Sequence, residues 1–180
     1  MQVSTDYVFD GSKPGPYLES DPIRPLNVYG SSKAGGEQAV RVGNERHAIL
    51  RTSWVISPFR ANFAKTMLRL AGERDSLRVV ADQYGAPTIA ADLADAIGRI
   101  ALRLARGDAL YGTWHFANSG FCSWADLAEA LMAGARKRGM PSVPVERIPG
   151  TAYPTPARRP ANSRLSTELL QQVWQIKPRH

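Results

Sequence analysis

Cysteine, histidine and long apolar runs are the scarce features of this 180-residue sequence, which has one Cys and three His. The lone Cys122 excludes an internal disulfide. With only His47, His115 and His180 beside it there are too few soft ligands for a zinc cluster, and no metal is assigned. No stretch approaches the roughly 18 consecutive apolar residues of a membrane span. The start, Met1-Gln2-Val3-Ser4-Thr5, lacks the basic-then-apolar layout of a signal peptide. The expectation is a soluble, cytoplasmic protein with no membrane partner. Internal repeats and low-complexity tracts are missing as well. At 43% hydrophobic and 22% charged residues, the chain should fold as one globular domain or as part of a larger one.

Lysine is also scarce. Of 23 basic residues 18 are Arg and 5 Lys, against 16 acidic ones, for a net charge of +7. That balance suits an anionic partner. The arginines are scattered, however, and the tight clusters Arg136-Lys137-Arg138 and Arg158-Arg159 have no interleaved aromatic platforms, so no nucleic-acid partner is expected and a phosphorylated small molecule fits better. Most of the other charges read as solvated helix faces and ends.

The pattern along the chain alternates strands with helices. Gln2 to Phe9 reads as a short strand running into the turn residues Asp10-Gly11 and Lys13-Pro14-Gly15-Pro16. A helical pattern begins after Asn27, with glycines and serines near its start that permit close approach of another backbone or a ligand. Ala48 to Ile56 reads as a buried strand stopped by Ser57-Pro58. Asn62 can cap a helix carrying Phe63, Met67 and Leu70. Leu77 to Ala81 is a further strand, and Ala91 to Arg106 is an amphipathic helix. Ser123 and Asp126 form a capping-box start for another helix. Pro149 to Pro160 is too proline-rich for regular structure, and a short helix follows around Ser166 to Trp174. This order predicts an α/β fold with parallel pairing. A composition shift near residue 107 divides the chain into 1–106 and a smaller lobe, 107–180, with the lobes interleaved.

Tyr29 and Lys33 stand four apart on the predicted helix, hence on one face. A phenol titrating near ~10 is a poor acid at neutral pH, and a neighbouring ammonium favours its phenolate. With a small hydroxyl such as Thr5 at the end of a neighbouring strand, the three groups can polarise a carbonyl for hydride attack. The Tyr-x-x-x-Lys pair alone is a short motif that chance also produces. His47 and His115 sit in apolar, strand-like settings and read as structural, and Cys122 as a small hydrophobe. Tyr7 and Trp54 taken singly read as packing, Asn62 as a cap, and Arg158-Arg159 as solvated loop charge.

The neighbourhood of the pair changes those readings. Ser4-Thr5-Asp6-Tyr7-Val8-Phe9-Asp10-Gly11, Pro25-Leu26-Asn27-Val28-Tyr29-Gly30-Ser31-Ser32-Lys33, Leu50-Arg51-Thr52-Ser53-Trp54-Val55, Asp82-Gln83-Tyr84-Gly85-Ala86-Pro87-Thr88 and Tyr153 to Ser163 follow in order over nearly the whole chain. Together they resemble the dTDP-4-dehydrorhamnose reductases, members of the extended short-chain dehydrogenases. The resemblance implies a Rossmann-like, doubly wound parallel sheet with a smaller substrate-binding lobe. It also implies NADPH-dependent reduction, with NADH as the alternative cofactor, of the 4-keto group of dTDP-4-dehydro-β-L-rhamnose to dTDP-L-rhamnose. By the same resemblance Tyr29 is the proton donor, Lys33 tunes it and binds the nicotinamide ribose, and Thr5 meets the substrate oxygen. Thr52 and Ser53 lie at the nicotinamide, Tyr7 and Trp54 flank the sugar, and Asn62 and Arg159 contact the diphosphate.

The sequence departs from that pattern in one respect. The family opens with a strand, a G-x-x-G-x-x-G type turn and a helix that seat the dinucleotide phosphates, about the first hundred residues of its domain, and no such element stands here. The expectation is a fragment or a truncated gene product, inactive alone and poorly stable or prone to aggregate, that forms a homodimer or joins an N-terminal half. The competing expectation is a non-catalytic subunit acting through protein partners, like the β subunit of methionine adenosyltransferase. Some relatives form magnesium-linked dimers through acidic residues after the Gly-Ala-Pro-Thr block. Here the stretch reads Ile89-Ala90-Ala91, which supplies no ligand.

Overall fold

A computed structural model describes residues 1–180. The elements run β1 (Gln2–Thr5), α1 (Val28–Gly43), β2 (Ala48–Thr52), β3 (Val55–Ile56), α2 (Phe63–Ala71), β4 (Leu77–Val80), β5 (Tyr84–Gly85), β6 (Thr88–Ile89), α3 (Ala90–Ala105), β7 (Gly112–His115), β8 (Cys122–Ser123), α4 (Trp124–Arg136), β9 (Val145–Ile148) and α5 (Glu168–Trp174). The architecture is α/β with parallel strands. β2 is the centre of a three-stranded parallel sheet in the order β1-β2-β7, with Thr5 beside Thr52 and Arg51 beside His115. All five of its residues are buried, which is why Ala-Ile-Leu-Arg-Thr carries no polar alternation. β4 pairs in parallel with β9, β3 with β6, and β5 antiparallel with β8. The β2–β7 and β4–β9 pairings both join residues before 107 to residues after it.

Two larger apolar cores result, beside a small third cluster of Val8, Phe9, Tyr17 and Leu165. One lies against the three-stranded sheet and gathers Leu50, Leu93, Ala96, Ile100, Trp114, Leu170 and Trp174 from β2, α3, β7 and α5, with Phe116 from just after β7. The second fills the space between α2, α4 and the β4–β9 pair with Ala71, Leu77, Val79, Ala125, Ala128 and Met132. No helix is long and apolar enough to cross a membrane.

The helix starts follow their capping chemistry. Asn27 accepts from the Gly30 N–H, Asn62 from the Lys65 N–H, and Ser123 and Asp126 form a reciprocal capping box. Two strands are shorter than the sequence suggests. β1 stops at Thr5, whose hydroxyl accepts from the Tyr7 N–H and opens a 3₁₀ turn over Asp6–Val8. The apolar run from Ala48 breaks at Ser53-Trp54, where Trp54 takes a left-handed φ of 46°, and Val55 then pairs with Thr88 instead of continuing beside β1. Both breaks fall at the same end of the sheet, and the space they leave is the candidate site.

Candidate active site

α1 carries Tyr29, Lys33, Glu37 and Arg41 at intervals of four, one stripe along the helix. Gly30 decides how closely that stripe approaches the sheet, since a Cβ there would lie 2.2 Å from the Tyr7 carbonyl oxygen. With no side chain in the way the helix seats against the 3₁₀ turn, and the Tyr29 ring meets the Tyr7 ring edge-on at 5.7 Å and 76°. Tyr29 remains 55% exposed, open to a ligand. Lys33 Nζ donates to the Val3 carbonyl at 2.6 Å, which anchors the ammonium at the rim of β1.

Further along the stripe, Glu37 is wholly buried and accepts from Arg51 through Nε at 2.9 Å and Nη2 at 2.7 Å, and from Arg41 at 2.9 Å. Burial alone would raise the Glu37 carboxyl, but the Arg51 hydrogen bonds outweigh it and hold it below its ordinary value. Arg51 also meets His115 Nε2 at 3.3 Å, and burial together with the Arg51 charge pushes the His115 imidazole down to about 3. The bidentate ion pair clamps α1 to β2 one turn beyond Lys33 and one residue before Thr52. Sequence reading missed it, although an arginine inside an otherwise apolar strand demands a buried acidic partner, and that is its signal.

Between these elements lies a cavity of ≈ 460 Å³. Thr5, Tyr7, Tyr29, Lys33, Thr52, Ser53 and Trp54 all line it, so seven of the sequence-derived site residues come together. Thr5 Oγ1 donates to Asp6 Oδ1 at 3.0 Å and accepts from the Tyr7 N–H at 3.3 Å. Asp6 is itself buried against this cavity, and burial raises its carboxyl to about 6. Ser53 donates to the Ala86 carbonyl at 3.3 Å, whereas the buried Thr52 Oγ1 has no partner within the chain.

A second, larger cavity of ≈ 960 Å³ adjoins it, with Phe63, Met67 and Leu70 among its apolar lining and Arg74, Arg78, Arg158 and Arg159 among its charges. No Asp or Glu lines it. Arg159 belongs here, close enough to Tyr7 for its charge to act on that phenol. Asn62 lines neither cavity. Its Oδ1 caps α2 and its Nδ2 donates to the Ser57 carbonyl at 2.6 Å, so the whole amide is engaged locally. Trp124, which sequence reading passed over, lines both cavities and stacks on Trp54 at 3.5 Å and 11°. No group of three or more His, Cys, Asp or Glu is placed to hold a metal ion.

A family model described as the RmlD substrate binding domain matches residues 1–180. The chain belongs to this RmlD family. It is 50% identical over 179 residues to a dTDP-4-dehydrorhamnose reductase of Escherichia coli K12, an alignment that covers 98% of this chain and 60% of that one. Among solved structures it resembles the dTDP-4-dehydrorhamnose reductase of Clostridium acetobutylicum, with a TM-score of 0.86, 37% identity and coverage of 99% and 60%. The Bacillus anthracis enzyme of the same name, solved in complex with NADP, has a TM-score of 0.85, 38% identity and coverage of 94% and 57%. The chain thus spans about 60% of the length of the curated RmlD relatives that it matches. Its Rossmann-like α/β architecture is that of these structures.

Proposed function

We propose that this chain carries the proton-transfer and sugar-binding part of a nicotinamide-dependent reductase. The reaction is reduction of the 4-keto group of dTDP-4-dehydro-β-L-rhamnose to dTDP-L-rhamnose. The observation that carries the reading is the convergence of Thr5, Tyr29 and Lys33 on one cavity. The names of relatives at 47–50% identity support the choice of substrate.

The residues present fit the nicotinamide end of a cofactor. Thr52 offers a buried hydroxyl with no partner, and Lys33 presents its ammonium at the rim. When bound, the cofactor supplies the hydride that converts the C4 ketone to an alcohol, and the NADP complex of the Bacillus anthracis relative favours NADPH over NADH. Tyr29 gives its proton to the C4 oxygen, and the Lys33 ammonium stabilises the negative charge left on the phenol oxygen. Thr5 turns its hydroxyl hydrogen from Asp6 towards the same substrate oxygen. Tyr7 and Trp54 enclose the hexose.

Arg159, with Arg158 beside it, takes the diphosphate at the mouth of the larger cavity, which at ≈ 960 Å³ is of the size that encloses a nucleotide. Asn62 acts as the cap of α2 and enters the site only through the helix N-terminus it shapes. The test is NADPH oxidation by the intact protein with dTDP-4-dehydro-β-L-rhamnose, followed by its loss of absorbance, with dTDP-L-rhamnose identified as product. Absence of turnover in a folded protein that binds both ligands would refute the reading.

A further inference from the structure

Trp124 is the only residue that lines both cavities. Its indole lies flat on Trp54, ring centroids 3.5 Å apart, and Phe63 tilts against it at 4.5 Å and 43°. The placement of both stacked rings is fixed by backbone. Trp54 stands at a left-handed φ of 46°, and a Cβ on Gly85 would come within 2.4 Å of its ring, so only glycine leaves the indole its place. Trp124 is the first residue of α4, immediately after the Ser123 of the capping box. The β5–β8 pairing sets Gly85 beside Cys122 and Tyr84 beside Ser123. The Asp126 of that box is held by Arg147 at 2.8 Å, and its carboxyl is lowered to about 2 by the hydrogen bonds from Ser123 and Arg147.

We propose that Trp124 is a specificity-determining residue that sets the position of the hexose relative to the nucleotide, by holding the sugar-to-phosphate link where the ligand passes between the cavities. The inference rests on the reductase reading above and goes beyond it. A ligand with its keto carbon at Tyr29 and its diphosphate at Arg158-Arg159 has to cross at Trp124, because no other side chain is common to the two spaces. A flat indole offers the apolar face of a pyranose a large, rigid contact, and stacking on Trp54 leaves it little freedom to yield. The consequence is a ruler. Hexoses joined to the nucleoside through two phosphates bring C4 to the phenol, while shorter or longer links miss it. Misplacement of the reacting carbon by about 1 Å is enough to cost roughly 10²-fold in rate.

The experiment compares the intact protein with Trp124→Ala and Trp124→Phe. Calorimetric titration measures binding of dTDP and of dTDP-L-rhamnose, and steady-state kinetics uses the 4-keto substrate with NADPH. In Trp124→Ala the affinity for dTDP stays within about 3-fold, the affinity for dTDP-L-rhamnose falls by about 10-fold, and kcat/KM falls roughly 10²-fold, mainly in kcat. Trp124→Phe recovers most of the loss. Equal losses for dTDP and dTDP-L-rhamnose would make Trp124 a plain wall of the nucleotide cavity, and an unchanged kcat would remove its positioning role. Either result overturns the inference. If circular dichroism shows Trp124→Ala unfolded, Trp124→Leu and Trp124→Phe decide by the same ratios. Wild-type protein that binds dTDP-L-rhamnose but reduces nothing refutes the reductase reading alone, and the ratio of the two affinities then still decides on Trp124.

Discussion

In the smaller cavity most of the polar groups, Thr52 excepted, are already tied within the chain, whereas the larger has apolar walls and a rim of arginines with few partners. In the first, Thr5 is tied to Asp6, Ser53 to Ala86, and Lys33 to the Val3 carbonyl, and the helix behind them is clamped by Glu37 and Arg51. In the second, only Arg78 of the four lining arginines forms an ion pair, to Glu146 at 3.4 Å. On the reductase reading proposed above, the difference separates two tasks. Proton transfer needs groups fixed before the substrate arrives, because reorganisation during the reaction adds to the barrier. Recognition of a diphosphate needs donors left free to turn to it.

The contrast is broken most sharply at Tyr29. Tyr29→Phe removes the acid but not the ring packed on Tyr7, so kcat falls roughly 10²–10⁴-fold while dTDP binding and the melting temperature stay as they were. Glu37→Gln attacks the fixed side from beneath. It leaves the Arg51 charge buried without its counter-ion and costs about 3–5 kcal/mol in a denaturant titration, with activity at saturating substrate lost only where the protein unfolds.

A third test uses pH. Burial raises Asp6 to about 6 from 3.8, so the folded state binds its proton more tightly. Its stabilising contribution is full below about 3.8 and is lost as pH rises through about 6. Asp6→Asn therefore gains stability relative to the parent as pH rises from 4 to 6, by up to about 3 kcal/mol, and the difference then levels off. His115 has the opposite sign. Its contribution is present above 6.5 and is lost as pH falls towards about 3, so without Asp6 the fall in stability below pH 6.5 becomes steeper. The smallest effect is expected on the recognition side. Arg159→Ala weakens dTDP by about 10-fold, as for a charge-assisted hydrogen bond at an open rim, with kcat at saturation preserved.

What could be read from the sequence was whatever is local or carried by a motif. Tyr29 with Lys33 and the Asn62 and Ser123 caps all rest on residues within one turn or one loop of each other, whereas the proline-rich stretch after Ile148, read as lacking regular structure, holds a 3₁₀ turn over Gly150–Ala152. The strand limits were misread because Thr5 and Trp54 end their strands through side-chain and backbone geometry that alternation of apolar residues does not report. Glu37 looks like an ordinary surface charge of its helix, and the partner that Arg51 demands inside an apolar strand is identified only when the fold brings helix and strand together. Trp124 follows a capping serine and reads as the first apolar residue of a helix. Only the β5–β8 pairing, which lays it on an indole seventy positions away in the chain, gives it a place at the site.

Asn27 joins the two regions with a single amide. Its Oδ1 accepts from Gly30 at the start of the helix bearing Tyr29, and its Nδ2 donates at 2.8 Å to the carbonyl of Arg158, 131 residues further on. One side chain therefore holds both the first turn of α1 and the backbone of the arginine segment, so a change at Asn27 disturbs the two regions together.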